Sequence, residues 1–379
     1  MEGLDGFAPL NIYGGDDDDD DSGALNYVSL RYGGEVVSLA NELNGLSIGG
    51  VGRDTDIDFV EIMNNVDDGI EIWGGTVNVR HFSVWNIGDD SVDLDQGYRG
   101  KMQFGLIVQG YSVDANPGSG VGDRGFEIDG SEAAGWQPVT TTVIRNTTFV
   151  GETNVGDDAI SLQDGARVQF RSSLWIDTGD EVLNNGGGYG AAIPGALQGL
   201  GCPATTLTLA GTYGTAFNAN PEDCVGIPGF YAAQSDGNLS EFRDSVLFNS
   251  PNLGNGADLG VNILDAANNN VVAGTLPIRA LVRGAAESLQ GGLITIERVV
   301  GIDPRATADA AVSTLGASSD PFFVTTDYRG GFSTDENWLA KWAASAHFGF
   351  LLPEGVVTEV TGFGNSGTLT GNGETPFPG

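Results

Sequence analysis

Basic residues are scarce in this chain. Lys and Arg together number 16 against 51 Asp and Glu, which leaves a formal charge of −35. A surface of that sign repels nucleic-acid phosphates and anionic lipid headgroups. It attracts divalent cations and cationic partners, and it also serves simply to keep an extracellular protein in solution. Histidine is scarcer still, with only His81 and His347. Two histidines leave little material for a Ser–His–Asp triad, and with only Cys202 and Cys224 beside them a Cys/His zinc centre is not expected. The two cysteines flank a loop rich in Gly, Ala and Thr that contains Pro203 and Pro221. In an oxidising compartment they are expected to close that loop as a disulfide. No apolar run approaches the length of a membrane span. The N-terminus, MEGLDGFAPL, has neither a basic n-region nor an apolar h-region. The expectation is that a signal peptide has been removed or that the chain is a piece of a longer protein. Glycines lie at chain corners with no helix following them, so no phosphate-binding loop is indicated.

What the chain has in quantity is glycine, 60 residues, and hydrophobic side chains, 40% of the total, enough for a sizeable core in 379 residues. Their arrangement is periodic. The stretch MNNVDDGIEIWGGTVNVRHFSV from Met63 superposes on WNIGDDSVDLDQGYRGKMQF, ending at Phe104, with an offset of 22 residues. Asp67 falls on Asp89, Asp68 on Asp90, Ile70 on Val92, Glu71 on Asp93, Ile72 on Leu94, Gly75 on Gly97 and Phe82 on Phe104. A repeat of that size marks a solenoid, and alternation of apolar and polar residues inside it marks strands. GDRGFEIDG (122–130) and GDDAISLQDG (156–165) continue the phase at offsets of 34. Each such offset reads as one coil plus about 12 residues of loop, and NPGSGVG (116–122) and AAGWQP (133–138) are the expected protrusions.

These features predict an all-β, right-handed parallel β-helix of about 22 residues per coil, with long loop insertions and a short C-terminal helix. The expected segments are an acidic N-terminal part (1–24), a first β-helix section (25–183) and a long Gly-rich loop with Cys202 and Cys224 (184–232). Further coils (233–330) and a helix cap with a tail (331–379) follow. VIRNTTFVG, FRSSLWID, FRDSVLFN and IERVVGID share a second strand shape, which carries the coils past residue 185. STDENWLAKWAASAHFG (333–349) reads as an amphipathic helix covering the open end of the last coil. Asp16 to Asp21, six carboxylates in a row, read as a solvated loop or a cation-binding one. His81 reads as an ordinary strand position.

Stacking the coils generates columns. Inward lie Ile70, Val92, Phe126 and Ile160, then Ile72, Leu94, Ile128 and Leu162. Outward lie Glu71, Asp93 and Glu127. At the corners lie Asp67, Asp89, Asp123 and Asp157, and beside them Asp68, Asp90 and Asp158. Like charges at strand spacing repel, by about 3 kcal/mol at 5 Å for an effective dielectric near 20. A bound cation, an intervening Arg or a raised carboxyl pKa relieves that repulsion, and Arg124 supplies one such Arg. The metal-ligand candidates for Ca²⁺ are Asp67, Asp68, Asp89, Asp90, Asp93, Asp95, Asp123, Asp157 and Asp158. The competing reading is that corner Asp residues bond backbone N–H groups in tight turns.

SGALNYVSLRYGG (22–34), NELNGLSIGGVGRDTDIDFVEI (41–62), DDGIEIWGGTVN (67–78), DDSVDLDQGYRGKMQF (89–104) and, loosely, DYRGGF and NWLAKW resemble uncharacterised secreted bacterial β-helix proteins of the pectate-lyase-like fold. Such relatives carry further coils upstream of the YGGDDDDDDSG turn, which implies a first coil here that meets another chain. The resemblance transfers no reaction. GDDSVDL and GDDAISL look like the GDD segment of β-helix polygalacturonases, but the glycine-flanked His and the Arg-x-Lys segment of those enzymes have no counterpart. A Ca²⁺-dependent polysaccharide lyase needs metal-binding carboxylates beside a base, and its candidates are Asp93, Asp95, Arg99 and Lys101. Tyr111, Trp136 and Tyr189 are candidates for stacking on sugar rings. The leading expectation is a non-catalytic structural or adhesive β-helix, extracellular or at a bacterial cell surface, with a Ca²⁺-binding acidic ridge and association through its coil ends. The alternative is a glycan-binding module or a polysaccharide lyase or hydrolase working in a groove bounded by loops.

Overall fold

The computed structural model describes residues 12–38, 41–110, 123–131, 138–153, 156–189, 207–219, 233–254, 259–289, 292, 294–313, 315 and 318–353. Two parallel sheets face each other across one core. The first is six-stranded: β4 (Leu46–Gly49), β6 (Ile70–Trp73), β8 (Val92–Asp95), β10 (Phe126–Asp129), β12 (Ile160–Gln163) and β15 (Asn184–Gly187), in that spatial order. The second is ten-stranded. Its path runs from β1 (Ala24–Arg31) through β5 (Asp56–Met63), β7 (Asn78–Trp85), β9 (Lys101–Val108) and β11 (Thr141–Val150). It then continues as paired short strands, β13 (Arg167–Arg171) with β14 (Leu174–Ile176) and β16 (Glu241–Arg243) with β17 (Val246–Phe248), to β18 (Val271–Val272). The rungs from β1 to β15 contribute a strand or strand pair to each sheet, the later ones to the second sheet alone among the described residues, and the fold is an all-β parallel β-helix.

Register follows the repeat. Leu46, Ile70, Val92, Phe126 and Ile160 stack in one inward column, and Ile48, Ile72, Leu94, Ile128 and Leu162 in the next. The opposing sheet supplies Ile57, Val79, Met102, Ile144, Phe170 and Phe242, and then Ile62, Val84, Ile107, Phe149, Trp175 and Leu247. Burying each large apolar side chain contributes roughly 1.5–3 kcal/mol. Gly105 is required where it stands, because a Cβ there would lie 2.3 Å from the Phe82 ring on the rung below.

Each long strand of the second sheet bends at one residue in the left-handed region. Tyr27, Phe59, His81, Phe104, Asn146, Ser172, Asp244 and Asn269 occupy this corner with φ from 44° to 65°. His81 is therefore not an ordinary strand position. Its ring lies between Phe59 (centroids 4.2 Å) and Phe104 (4.9 Å), and Tyr27 stacks on Phe59 at 4.4 Å. Positive φ in bulky residues is unfavourable by about 1–3 kcal/mol each. The aromatic stack and the edges of Trp338 and Trp342 against it offset that cost.

The solenoid stops earlier than its sequence pattern suggests. After β18 the strands pair antiparallel: β19 (Ile278–Arg283) with β22 (Val299–Ala306), and β20 (Glu287–Leu289) with β21 (Ile294–Ile296). IERVVGID, expected to be another rung, falls in this antiparallel part. A further small hairpin joins β2 (Val36–Ser38) to β3 (Asn41–Glu42). The 333–349 segment is not one continuous helix. Ser333 Oγ does accept the Glu336 N–H at 3.0 Å, as a capping box requires, but only Ala344–His347 is helical. Nor does the segment cover a coil end. It lies along the flank of the second sheet, where Phe332, Leu339 and Ala343 pack on Met63, Trp85, Leu106, Val150 and Leu174 in a second apolar cluster. That cover explains why β11 is buried along its whole length.

The Asp16–Asp21 run is docked rather than free. Arg99 holds Asp18 with two hydrogen bonds of 2.9 Å, Arg53 reaches Asp18 and Asp19, and the Asp18 carbonyl accepts from Thr76 Oγ1 at 2.6 Å. Cys202 and Cys224 lie outside the described residues.

Glu61 fastens the C-terminal segment to the solenoid. It is fully buried, and its carboxylate accepts from Ala344 N (2.7 Å), Ser345 N (3.0 Å) and Ser29 Oγ (2.7 Å). Glu61→Ala strands these buried donors, so we expect it to lower the unfolding free energy by roughly 2–4 kcal/mol. Urea denaturation measures this, and hydrogen exchange should show the amides of Ala344 and Ser345 losing protection first. Unchanged protection at those two amides would refute the role given to Glu61.

Candidate metal centre

The outward face of the six-stranded sheet is acidic because the repeat forces it to be. The residue between two inward aliphatics on each rung forms the column Ser47, Glu71, Asp93, Glu127, Ser161. Next to it run Gly49, Trp73, Asp95, Asp129 and Gln163. At the corner preceding each strand, backbone bonds from Asp123 N to Asp89 O (3.1 Å), Asp157 N to Asp123 O (3.3 Å) and Asp180 N to Asp157 O (3.3 Å) align one aspartate per rung.

The second corner aspartate has a structural use that the turn reading anticipates. Asp68 Oδ1 accepts the Asp90 N–H at 2.9 Å, Asp90 Oδ1 the Arg124 N–H at 2.7 Å, and Asp158 Oδ1 the Glu181 N–H at 3.2 Å. Each therefore satisfies a backbone donor on the following coil. One carboxylate oxygen per residue is spent in this way; of the others, Asp90 Oδ2 lies 3.5 Å from Arg124 Nη1 and Asp158 Oδ2 accepts from Asn184 Nδ2.

The carboxylate oxygens converge. Asp67, Asp68 and Asp89 bring ligand atoms within 4.8 Å of one another, as do Asp68, Glu71 and Asp93, then Asp89, Asp90 and Asp123, and Asp157, Asp158 and Asp180. The first three groups share members and form one continuous patch. Among the described residues Arg124 is the one cation bonded into it, with Nη1 3.0 Å from Glu127 Oε2 and 3.5 Å from Asp90 Oδ2. Asp93 Oδ1 and Asp129 Oδ1 are sealed from solvent and have no hydrogen-bond partner among the described residues.

Crowding keeps these carboxyls protonated further up the pH scale than usual. Burial raises Asp68, with Asp93 and Asp67 adding repulsion. It raises Asp93, with Glu71 and Asp90 behind it, and Asp90, with Glu127. Burial brings Asp89 to about 6, opposed by the hydrogen bond from Asp123, and Asp158 to about 6, opposed by Asn184. Asp129 reaches about 8 through burial and the charges of Glu127, Asp95 and Asp164. Asp123 and Asp157 are also raised by burial.

Of the nine aspartates proposed from sequence as ligands, eight lie in these groups. Asp95 lies in none, and one of its oxygens accepts the Gln96 N–H. Glu71 and Asp180 complete groups for which sequence reasoning had not proposed them. Register alone would have nominated Glu71, and the TGDE segment repeats the Gly-Asp-Asp corner at Asp180. The four lyase candidates do not meet. Arg99 is bound by Asp18, and Lys101 Nζ by Asp320 Oδ2 at 2.6 Å on the other sheet. Tyr189 is half-buried against the core and its hydroxyl donates to Ala166 O at 2.8 Å. Tyr111 and Trp136 lie outside the described residues.

Residues 8–185, which include this entire patch, match the family model described as a pectate-lyase like beta helix domain. Neither the comparison with curated proteins nor that with solved structures gives a match.

The raised carboxyls set the sign of the pH dependence. A group whose folded pKa exceeds its unfolded value of about 4 binds more protons when folded, so stability falls as pH rises through the folded pKa. Without divalent cations, the melting temperature should therefore be higher at pH 5 than at pH 8.5. The loss should be spread over the window from about 4 to the value of about 8 for Asp129. Asp129→Asn should flatten its upper part. Calorimetric melts across pH in EDTA test this, and a melting temperature that rises from pH 5 to 8.5 would contradict it.

Proposed function

We propose that this protein is a structural and adhesive β-helix, extracellular or at a cell surface, whose acidic face binds Ca²⁺. The observation that carries the reading is the continuous patch of Asp67, Asp68, Glu71, Asp89, Asp90, Asp93 and Asp123, with ligand oxygens in overlapping groups inside 4.8 Å. Ca²⁺ takes six to eight oxygens in flexible geometry and accepts carboxylates of either denticity. Mg²⁺ demands a near-ideal octahedron that a ladder at strand spacing does not provide. Bound Ca²⁺ would stabilise the ionised form of these carboxyls and bridge successive rungs.

The open side of β1 supports association through the coil end. Among the described residues β1 pairs with β5 on one side only, and Tyr27 and Tyr32 nearby are 60% and 69% exposed. An unpaired parallel edge is a template for another strand.

A glycan-directed enzyme is the second reading, favoured by the matched domain and by carboxyls that differ in proton affinity on one face. Glycoside hydrolysis needs a protonated carboxyl and an ionised one at defined separation. Asp129 has the character of the first, and its neighbour Asp95 would be the second. For the lyase form, the two basic candidates Arg99 and Lys101 are bound to Asp18 and Asp320 and not at this face.

The test is a thermal melt at pH 7.5 with EDTA, Mg²⁺ or Ca²⁺, together with light scattering. We expect millimolar Ca²⁺ to raise the melting temperature by several degrees, consistent with about 2.7 kcal/mol at a hundredfold excess over Kd. Mg²⁺ should do less, and the double variant Asp89→Asn/Asp93→Asn should lose the Ca²⁺ effect. No Ca²⁺ shift in the wild type would retire the metal reading. A monomer at every concentration would retire the association. Release of reducing ends from a polysaccharide, abolished by Asp129→Asn, would replace both with the enzyme.

A further inference from the structure

The outward column of the ten-stranded sheet is Asp58, Arg80, Gln103, Arg145, Arg171, Arg243, one residue per rung. Four of its six members are arginines, and three of them, Arg145, Arg171 and Arg243, stack on successive strands, in a protein with a formal charge of −35. Two of the three are neutralised. Arg171 donates from Nε and Nη2 to Glu241 Oε2 at 2.9 and 2.6 Å, and from Nη1 to Asp236 Oδ1 at 2.5 Å. Arg243 Nε donates to Asp244 Oδ2 at 3.0 Å.

Arg145 is different. It is only 7% exposed, yet its guanidinium makes no hydrogen bond and no ion pair with any described residue, and its Nε is sealed from solvent without a partner. The ring of Phe323 lies 5.2 Å from its guanidinium, and the charges of Asp236, Asp244 and Asp320 act on it without a direct ion pair among the described residues. Burial, with the charge of Arg171 behind it, pulls its pKa below the ordinary guanidinium value. An unpaired buried cation is among the costlier features a fold retains, and five N–H donors in a planar fork match a carboxylate.

Arg145 borders a cavity of about 430 Å³ whose lining includes Arg171, Asp236, Asp244, Leu315 and Ser318. The volume suits a ligand of monosaccharide size. Asp236 and Asp244 retain lone pairs that accept from hydroxyl groups, Ser318 adds a hydroxyl, and Leu315 gives an apolar wall. The same two carboxylates would repel a dianion more than a monoanion.

We propose that this cavity binds a small, singly charged carboxylate bearing hydroxyl groups, held by the Arg145 guanidinium. The site lies on the opposite sheet from the acidic face and uses none of its residues, so it stands or falls independently of Ca²⁺ binding.

Titration calorimetry of the whole chain with gluconate, acetate, inorganic phosphate and glucose tests it. Gluconate should bind most tightly, acetate at least tenfold more weakly, and phosphate and glucose more weakly still. Arg145→Met should lose gluconate binding at least tenfold while melting at or above the wild-type temperature, because it removes an unpaired buried charge. Leu315→Trp leaves the arginine ladder intact and fills the cavity from its wall. It should abolish binding even if Arg145→Met fails to fold. No gluconate binding by the wild type, equal binding by both variants, or tighter binding of phosphate than of gluconate would each overturn the assignment.

Discussion

Rung-to-rung hydrogen bonding in parallel register is the constraint on which everything else rests. In a parallel ladder, a residue lies directly above the residue that holds the same place in the next coil. Chemistry is therefore sorted into columns. Where the place is inward, this gives stacks such as Ile70, Val92, Phe126 and Ile160. Where it is outward, the same rule sets carboxylate on carboxylate and guanidinium on guanidinium. The fold cannot have the first without risking the second.

The two charged ladders meet that risk in different ways. On the six-stranded sheet, the second corner aspartate of a rung turns one oxygen to the next backbone N–H. The surplus negative charge is then relieved by protonation and by Arg124, and would be relieved further by the proposed Ca²⁺. On the ten-stranded sheet, Arg171 and Arg243 are matched by carboxylates on their own or adjoining segments, and Arg145 is not. A buried polar group without a partner is the kind of defect that a ligand repairs. Both sites thus arise from one geometric cause, acting on opposite signs of charge.

The C-terminal part changes what the second sheet is. A solenoid flank facing water would alternate apolar and polar residues, but β11 is buried on both faces. The segment from Asp320 to Leu351 provides the cover, through the Lys101–Asp320 ion pair, the Gln103–Val324 backbone bonds, the bonds of Asn146 to Thr326 and Tyr328, and the clamp of Glu61 on Ala344 and Ser345. It also shelters the left-handed aromatic corner at Phe59, His81 and Phe104, where backbone conformation would otherwise be hard to hold.

The sequence by itself determined the coil length, the strand alternation, the register of the aliphatic columns and the alignment of Glu71, Asp93 and Glu127. All of these are local periodicities of the six-stranded sheet; in the second sheet the offset from β7 to β9 is 23, so Phe82 lies beside Gly105 and not on Phe104 as the 22-residue repeat predicts. Only the tertiary structure decided that Arg99 belongs to Asp18 and Lys101 to Asp320, that 333–349 lies along the flank instead of capping an end, that the strands after Val272 turn antiparallel, and that Arg145 has no direct ion pair among the described residues. Those outcomes join residues tens to hundreds of positions apart, as with Glu61 and Ala344. No repeat encodes them, because they depend on which surface is left uncovered once the coils have stacked.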